Sequence, residues 1–323
     1  MHTIRVGVIR GGISDEYDVS LKTGGAVLRN LKAAIYEPVD VLIDRKGIWH
    51  MGGIPYTPER ILRHLDVVFN ALHGYYGEDG KVQTLLDAFR VPYTGSNAIA
   101  SAMGMHKALA KQVFQMEGLA TPYYALVRRG EDTAQTAHNL FRRFPQPSII
   151  KPVDGGSSVG IAIARSFEEF HRALADHNHR GVEALVEEYH PGREVTCGVI
   201  DGFRGECHYA LPPVEIIPPP ASSFFDYEAK YGGATRELCP APSLSDDEKR
   251  MVMEMAVRAH KAIGARHYSR SDFIISRRGI QILEINTLPG LTEHSLIPKS
   301  LAAVGCSLSD FLDHVVTLAL QKK

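Results

Sequence analysis

Lys151-Pro-Val-Asp-Gly-Gly-Ser-Ser-Val-Gly160 links two short apolar runs, Pro147 to Ile150 and Val159 to Ala164. Such runs read as buried strands, so the glycines and serines between them form a hairpin tip. Backbone N–H groups that no bulky side chain shields can turn toward an anion, and Lys151 at the foot of the tip adds positive charge. No Gly-x-x-x-x-Gly-Lys-Ser/Thr occurs in the chain, so this tip differs from the phosphate loop that opens a helix. Taken alone, the same stretch also fits a plain flexible turn.

A second constellation lies near the C-terminus. Ser271 to Ser276 and Ile280 to Asn286 flank Arg277-Arg-Gly279, a compact three-residue turn that predicts an antiparallel pair. Pairing Ser276 with Ile280 sets Asp272 opposite Glu284, and alternation puts Asn286 on the face of Glu284. Two facing carboxylates repel unless something positive lies between them, and hard oxygen donors suit Mg²⁺. Ion pairing with Arg266, Arg270, Arg277 or Arg278 is the alternative; a phosphate loop elsewhere in the chain favours the metal.

Elements must hold these groups together. At 323 residues the chain exceeds what one core sustains, which predicts two or three domains. Its 36 basic and 37 acidic residues leave a net charge of −1, so no global field recruits nucleic acid or a membrane surface. Cys197, Cys207, Cys239 and Cys306 have neither metal-site spacing nor disulfide-scaffold density. With no signal-like start and no long apolar span, the expectation is a reduced, soluble, cytoplasmic protein.

Residues 4–9, 39–43 and 66–72 read as strands, with helices over 19–31 and near 58–64 between them. That alternation predicts an α/β, doubly wound parallel sheet with ligands beyond the carboxyl ends of its strands, at Gly11 to Asp18 and His73 to Gly80. Val91-Pro-Tyr-Thr-Gly95 marks the crossing to a second unit. It would hold helices at 96–103, 106–117 and 131–143, a strand at 123–127 and the Lys151 hairpin. A third unit, α+β in character, carries strands from 184 onward, the loop Ile217 to Leu238, and a helix from Ser245 to Ile263 with the capping box Ser245-Asp-Asp-Glu248. The expected domains are therefore 1–95, 96–186 and 187–323. A 20-residue connection is too long for a mere link and reads as an active-site lid.

Assembled in order, these pieces resemble the ATP-grasp superfamily, and within it the D-alanine–D-alanine ligase family. The resemblance covers nearly the whole chain. It rests on Gly11-Gly-Ile-Ser14 with Asp18-Val-Ser-Leu21, Leu72-His-Gly74 with Gly77-Glu-Asp-Gly80, and Pro92-Tyr-Thr-Gly-Ser96. Lys151-Pro with Gly156-Ser-Ser-Val-Gly160, Phe225-Asp-Tyr-Glu-Ala-Lys-Tyr231, Glu284-Ile-Asn-Thr-Leu-Pro-Gly290 and His294-Ser-Leu296 complete it. It implies an ATP-grasp fold behind the parallel-sheet domain. It also implies ATP-dependent joining of two D-alanines through an acyl phosphate, for peptidoglycan precursor synthesis, by a homodimer.

The resemblance gives each residue a role. Lys107 and Lys151 bind the ATP phosphates, under the Gly156 to Val159 backbone with Ser158. Glu187 lies near the adenine and Glu194 on the ribose hydroxyls, while Glu188 faces solvent. Asp272, Glu284 and Asn286 hold two Mg²⁺ ions, with Mn²⁺ able to substitute. Lys230 reaches the transferred phosphoryl group, and Arg270 with the Gly290 N–H serves the oxyanion. Ser295 and the Leu296 N–H take the second substrate's carboxylate, His73 stands near the first D-alanine, and His294 supports its loop. Tyr231 and Ser157 close the lid and, with the acid at Asp18, orient the substrates. Tyr231 in place of a histidine argues for a peptide rather than an ester product, and D-serine at the second site stays open. Asp18 stands where the family has a glutamate, which keeps a ligase of other amino acids in play. A non-catalytic nucleotide binder of the same fold has no use for an oxyanion donor.

Overall fold

The computed structural model describes residues 3–131, 133–156, 160–218 and 235–321, and statements of absence below refer to these. The first sheet contains β1 (Ile4–Gly11), β2 (Tyr36–Ile43), β3 (Trp49–Met51), β4 (Ile54–Tyr56) and β5 (Val67–Asn70) in the order β4-β3-β2-β1-β5. Its centre is parallel, as the alternation with α1 (Tyr17–Asn30) and α2 (Pro58–Leu62) predicts. The antiparallel hairpin β3/β4 extends one edge and was not foreseen, because its strands of three residues are too short to show a period. Helix α3 (Lys81–Ala88) follows, and Tyr93 bridges to Val68 before the chain leaves this sheet.

The second sheet is antiparallel, ordered β6-β9-β7-β8 from β6 (Tyr124–Val127), β7 (Ser148–Pro152), β8 (Ala162–Ala164) and β9 (Ala184–Glu188). Helices α6 (Thr133–Arg143) and α7 (Phe167–His179) cover it through Phe144, Phe170 and Leu174, all buried with Ile150 and Val186. β7 and β8 are the two arms of the Lys151 hairpin.

The third sheet runs β13-β12-β10-β14-β15, with β11 pairing to β10. Its strands are β10 (Arg193–Asp201), β11 (His208–Ala210), β12 (Val214–Ile217), β13 (Arg236–Leu238), β14 (Tyr268–Ser276) and β15 (Gly279–Asn286). β12 and β13 pair antiparallel, so both ends of the stretch read as a long loop are sheet; residues 219–234 between them lie outside the described residues. Helix α8 (Asp246–Ile263) covers this sheet. Ser245 caps it by accepting from the Glu248 N–H while Glu248 accepts from the Ser245 N–H, the reciprocal pair its sequence promises.

Packing does not follow three consecutive segments. Helices α4 (Ala98–Met105) and α5 (Lys107–Met116) bury Ala100, Ala110 and Phe114 with Val195, Phe273 and Ile285 of the third sheet, while Ala108 of α5 packs with Leu185 of the second. After α9 (Leu296–Ala303), the last helix α10 (Leu308–Leu320) returns to the first sheet, where Phe311, Val315 and Val316 are fully buried with Val6, Val8 and Phe69. No single described helix is long and apolar enough to cross a membrane; α9 and α10 pass that test only jointly and are bent by 104°.

The β14/β15 hairpin differs from expectation at its turn. Ser276 pairs with Gly279, so the connection has two residues, and the register starts one step away from the predicted one. A bulge between Phe273↔Ile282 and Asp272↔Glu284 then absorbs Leu283 and restores the expected pairing.

Candidate active site

Three spaces with shared lining residues lie where the sheets converge. A cleft of ≈ 880 Å³ is lined by Glu16, His73, Glu78, Lys107, Gly155, Gly156, Arg270, Glu284, Asn286, Gly290, Ser295 and Leu296. An apolar slot of ≈ 140 Å³ between the second and third sheets has walls of Ile149, Ile161, Ile216, Phe273 and Leu283, with Glu187 and Glu194 at its edge. A gap of ≈ 30 Å³ between them is lined by Lys107, Lys151, Gly155, Gly156 and Glu284. Glu284 borders all three.

Three lysines and Glu187 are buried charges here. Lys107 opens α5 and donates to the Gly155 carbonyl at 2.5 Å, with Glu284 at 4.0 Å. Burial pulls its pKa down, against Glu284, which favours the charged form. Lys151 lies 2.5 Å from Glu187 Oε2. Burial lowers its pKa too, but Glu187 and Glu284 outweigh that and the net direction is up. Glu187, 1% exposed, also lies 2.7 Å from Lys111 on α5. Burial alone would raise its pKa, and the two lysines reverse the shift, keeping it ionised. Lys111 was missed by the sequence reading, although it repeats Lys107 four residues on and so shares its helix face.

Asp272 and Glu284 face each other across β14 and β15. Arg270 holds Asp272 through two hydrogen bonds of 2.9 Å, and Thr196 Oγ1 donates to the same carboxylate at 2.6 Å. Burial opposes the Arg270 charge, but Asp272 outweighs it and raises the pKa. The ion-pair alternative therefore applies to Asp272 through Arg270, while Glu284 faces the lysine gap and Asn286 lines the cleft beside it. Arg278 instead pairs with Glu188, which also lies 3.3 Å from His190. Glu188 is thus ion-paired at the slot rather than facing solvent.

One assignment is corrected. Asp18 lies in the first turn of α1 with its side chain 75% exposed and Arg45 at 3.3 Å, outside the cleft. Val19, Lys22, Ala26 and Arg29 of the same helix line the cleft, but Asp18 does not. Glu16, just before the helix, lines the cleft instead. A Cβ placed on Gly74, whose φ is +68°, would come within 2.6 Å of Glu16 Oε2, so the Leu72-His-Gly74 glycine admits this carboxylate. Glu16 lies two residues before Asp18, the position to which the motif alignment points.

His73 is buried with both ring nitrogens engaged, Nε2 with Thr23 Oγ1 at 2.8 Å and Nδ1 with Glu78 Oε1 at 3.3 Å. Burial lowers its pKa, and Glu78 more than reverses this. It forms part of the cleft wall. Across the cleft, Ser295 caps α9, its Oγ 3.0 Å from the Thr292 nitrogen and 2.8 Å from Thr292 Oγ1. Gly290, Ser295 and Leu296 thus bring backbone to the cleft at a helix N-terminus, where the first N–H groups have no helical partner. His294 lines the same wall. Ser157, Ser158, Lys230 and Tyr231 lie outside the described residues.

The arrangement pairs a flat apolar slot with buried cations, facing carboxylates and a polar cleft. Comparison with known proteins shows the family. The family model described as D-ala D-ala ligase C-terminus matches residues 113–317, and that for the D-ala D-ala ligase N-terminus matches 54–96. The chain is 38% identical to a D-alanine–D-alanine ligase of Geobacter sulfurreducens, over 99% of this chain and 95% of the relative. It is 39% identical to one of Syntrophobacter fumaroxidans, over 98% of each. Among solved structures, a D-alanine–D-alanine ligase of Bacillus anthracis complexed with ATP superposes with a TM-score of 0.81 at 32% identity, covering 99% and 98%. The VanG D-Ala:D-Ser ligase of Enterococcus faecalis gives 0.86 at 29%, covering 98% and 100%.

Proposed function

Because the chain belongs to the D-alanine–D-alanine ligase family, we propose that its cleft uses ATP to join two D-alanines into D-alanyl-D-alanine, for peptidoglycan precursor synthesis. The enzyme is an ADP-forming carbon–nitrogen ligase. A carboxylate oxygen of the first D-alanine takes the terminal phosphoryl group, giving an acyl phosphate and ADP. The amine of the second attacks that carbonyl carbon, loses a proton, and inorganic phosphate leaves. The observation that supports this reading is that slot, lysine gap and cleft share lining residues, Glu284 bordering all three. The order matches a planar base in the slot, phosphates against the lysines and two small zwitterions in the cleft.

Within this reading the purine occupies the slot beside Glu187, Glu194 meets the ribose, and Lys107 with Lys151 meets the phosphates. The site's two facing carboxylates and Asn286 form an all-oxygen donor set, which suits Mg²⁺ or Mn²⁺ and not a thiophilic ion. Asp272, Glu284 and Asn286 would hold the metal, which supplies charge neutralisation for the phosphates. Glu16 takes the first substrate's ammonium. Ser295 and Leu296 take the second carboxylate, and Arg270 and the Gly290 N–H face the tetrahedral oxyanion. Ser157, Ser158, Lys230 and Tyr231 keep the roles that the family motif implies. A homodimer in the cytoplasm, each chain read as domains 1–95, 96–186 and 187–323 whose packing crosses those bounds, completes the proposal.

The test follows phosphate release with ATP, Mg²⁺ and one amino acid at a time. Release with D-alanine, and a dipeptide of matching mass, is expected. D-serine mixed with D-alanine reports the second site, and no release with any amino acid would leave only a nucleotide binder.

A further inference from the structure

Lys111 has no part in the assignments above, yet it is wholly buried on α5. Its ammonium donates to Thr121 Oγ1 at 2.6 Å and lies 2.7 Å from Glu187 Oε1, while Lys151 holds the other oxygen at 2.5 Å. The two lysines are not equivalent. Lys151 borders both the slot and the phosphate gap, whereas Lys111 borders neither. A polyphosphate in the gap competes for Lys151 and leaves Glu187 with Lys111 as its standing counter-ion. Glu187 lines the slot, so its carboxylate lies at the edge of the space a base would fill.

We propose that Lys111 is the specificity-setting residue for the nucleotide base: it keeps Glu187 an ionised, acceptor-only group that welcomes a 6-amino purine and rejects a 6-oxo one. The inference rests on the proposed use of ATP in this cleft. An ionised carboxylate accepts the N–H of adenine's amino group and repels the carbonyl oxygen of hypoxanthine or guanine. A buried glutamate stripped of its counter-ion takes up a proton and gains an O–H donor, which suits the oxo group. Burial lowers the Lys111 pKa to about 8 against the pull of Glu187, so the ammonium stays charged at neutral pH. Lys111 acts through Glu187 and is a positioning residue.

Isothermal titration of the whole chain with ADP and with IDP tests this without relying on turnover. The parent should prefer ADP about tenfold or more, in line with a hydrogen bond to a charged acceptor. Lys111→Met, checked for folding by thermal unfolding, should bring that ratio below about threefold by weakening ADP and improving IDP. Thr121→Val, which keeps both charges, should retain the parent ratio. A folded Lys111→Met with the parent's ratio overturns the proposal, even where both nucleotides bind more weakly. Should Lys111→Met not fold, Glu187→Gln is read instead, since a carboxamide both donates and accepts. Loss of the ADP preference supports the proposal and its retention overturns it. A parent chain that binds neither nucleotide would instead overturn the proposed function.

Discussion

Leu283 and Glu284 are consecutive in the chain, yet both line the same slot. The bulge opposite Asp272 and Phe273 is the cause, since it places two residues against one on the partner strand. One apolar wall and one carboxylate at the lysine gap thus come from adjacent positions. Their substitutions should separate. Leu283→Ala should raise the KM for ATP about three- to tenfold, the scale of one apolar side chain, with the Mg²⁺ requirement unchanged. Glu284→Gln should raise the Mg²⁺ concentration for half-maximal rate and lower kcat at least about tenfold. Titrations of ATP and Mg²⁺ on each variant check this; identical profiles would contradict the separation.

Glu16 and Asp18 sit two residues apart with opposite fates. Glu16→Gln should cut kcat/KM for the first D-alanine about a hundredfold, because a buried charged hydrogen bond is lost. Asp18→Asn, exposed beside Arg45, should stay within about threefold of the parent. Steady-state kinetics over D-alanine concentration decide between them.

Much of this was readable before any coordinates. The buried runs of β1 and β7 announce their sheets, and the spacing of Asp272 and Glu284 announces their pairing. What was not readable depends on one-residue differences. A strand period of two is blind to a bulge, so the turn and first register of β14/β15 were misjudged while the pairing beyond Leu283 was correct. Glu16 and Asp18 are both acids beside the start of α1, and only the fold shows which one lines the cleft. Lys111 belongs to no motif, and the packing of its helix is what buries it.

Asp201 offers a stability test away from the cleft. It accepts from His208 Nδ1 at 2.8 Å, His260 Nε2 at 3.0 Å and the His267 N–H at 2.6 Å. Burial pushes its pKa up, but these donors outweigh it and hold the carboxyl at about 2 rather than 3.8. A depressed carboxyl stabilises the fold above its unfolded pKa, and the contribution fades as pH falls from about 4 toward about 2. Asp201→Asn should cost at most about 2 kcal/mol near pH 6. Denaturant unfolding at several pH values should show the gap to the parent closing in that acid range; a gap independent of pH would contradict the assignment.

Arg270 is held by Asp272 through two hydrogen bonds, so its removal also frees a carboxylate. Arg270→Ala should lower kcat by about a hundredfold or more, with ADP binding changed far less. Lysine at this position keeps the charge but not the paired donors, and should recover only part of the rate.

The account turns on phosphoryl transfer to a carboxylate oxygen, and one isotope measurement reads that step. With D-alanine carrying ¹⁸O in its carboxyl group, every dipeptide formed should send one ¹⁸O into the released inorganic phosphate, detected by mass spectrometry. Phosphate released without label, while dipeptide accumulates, would contradict the acyl phosphate and the cleft chemistry built on it.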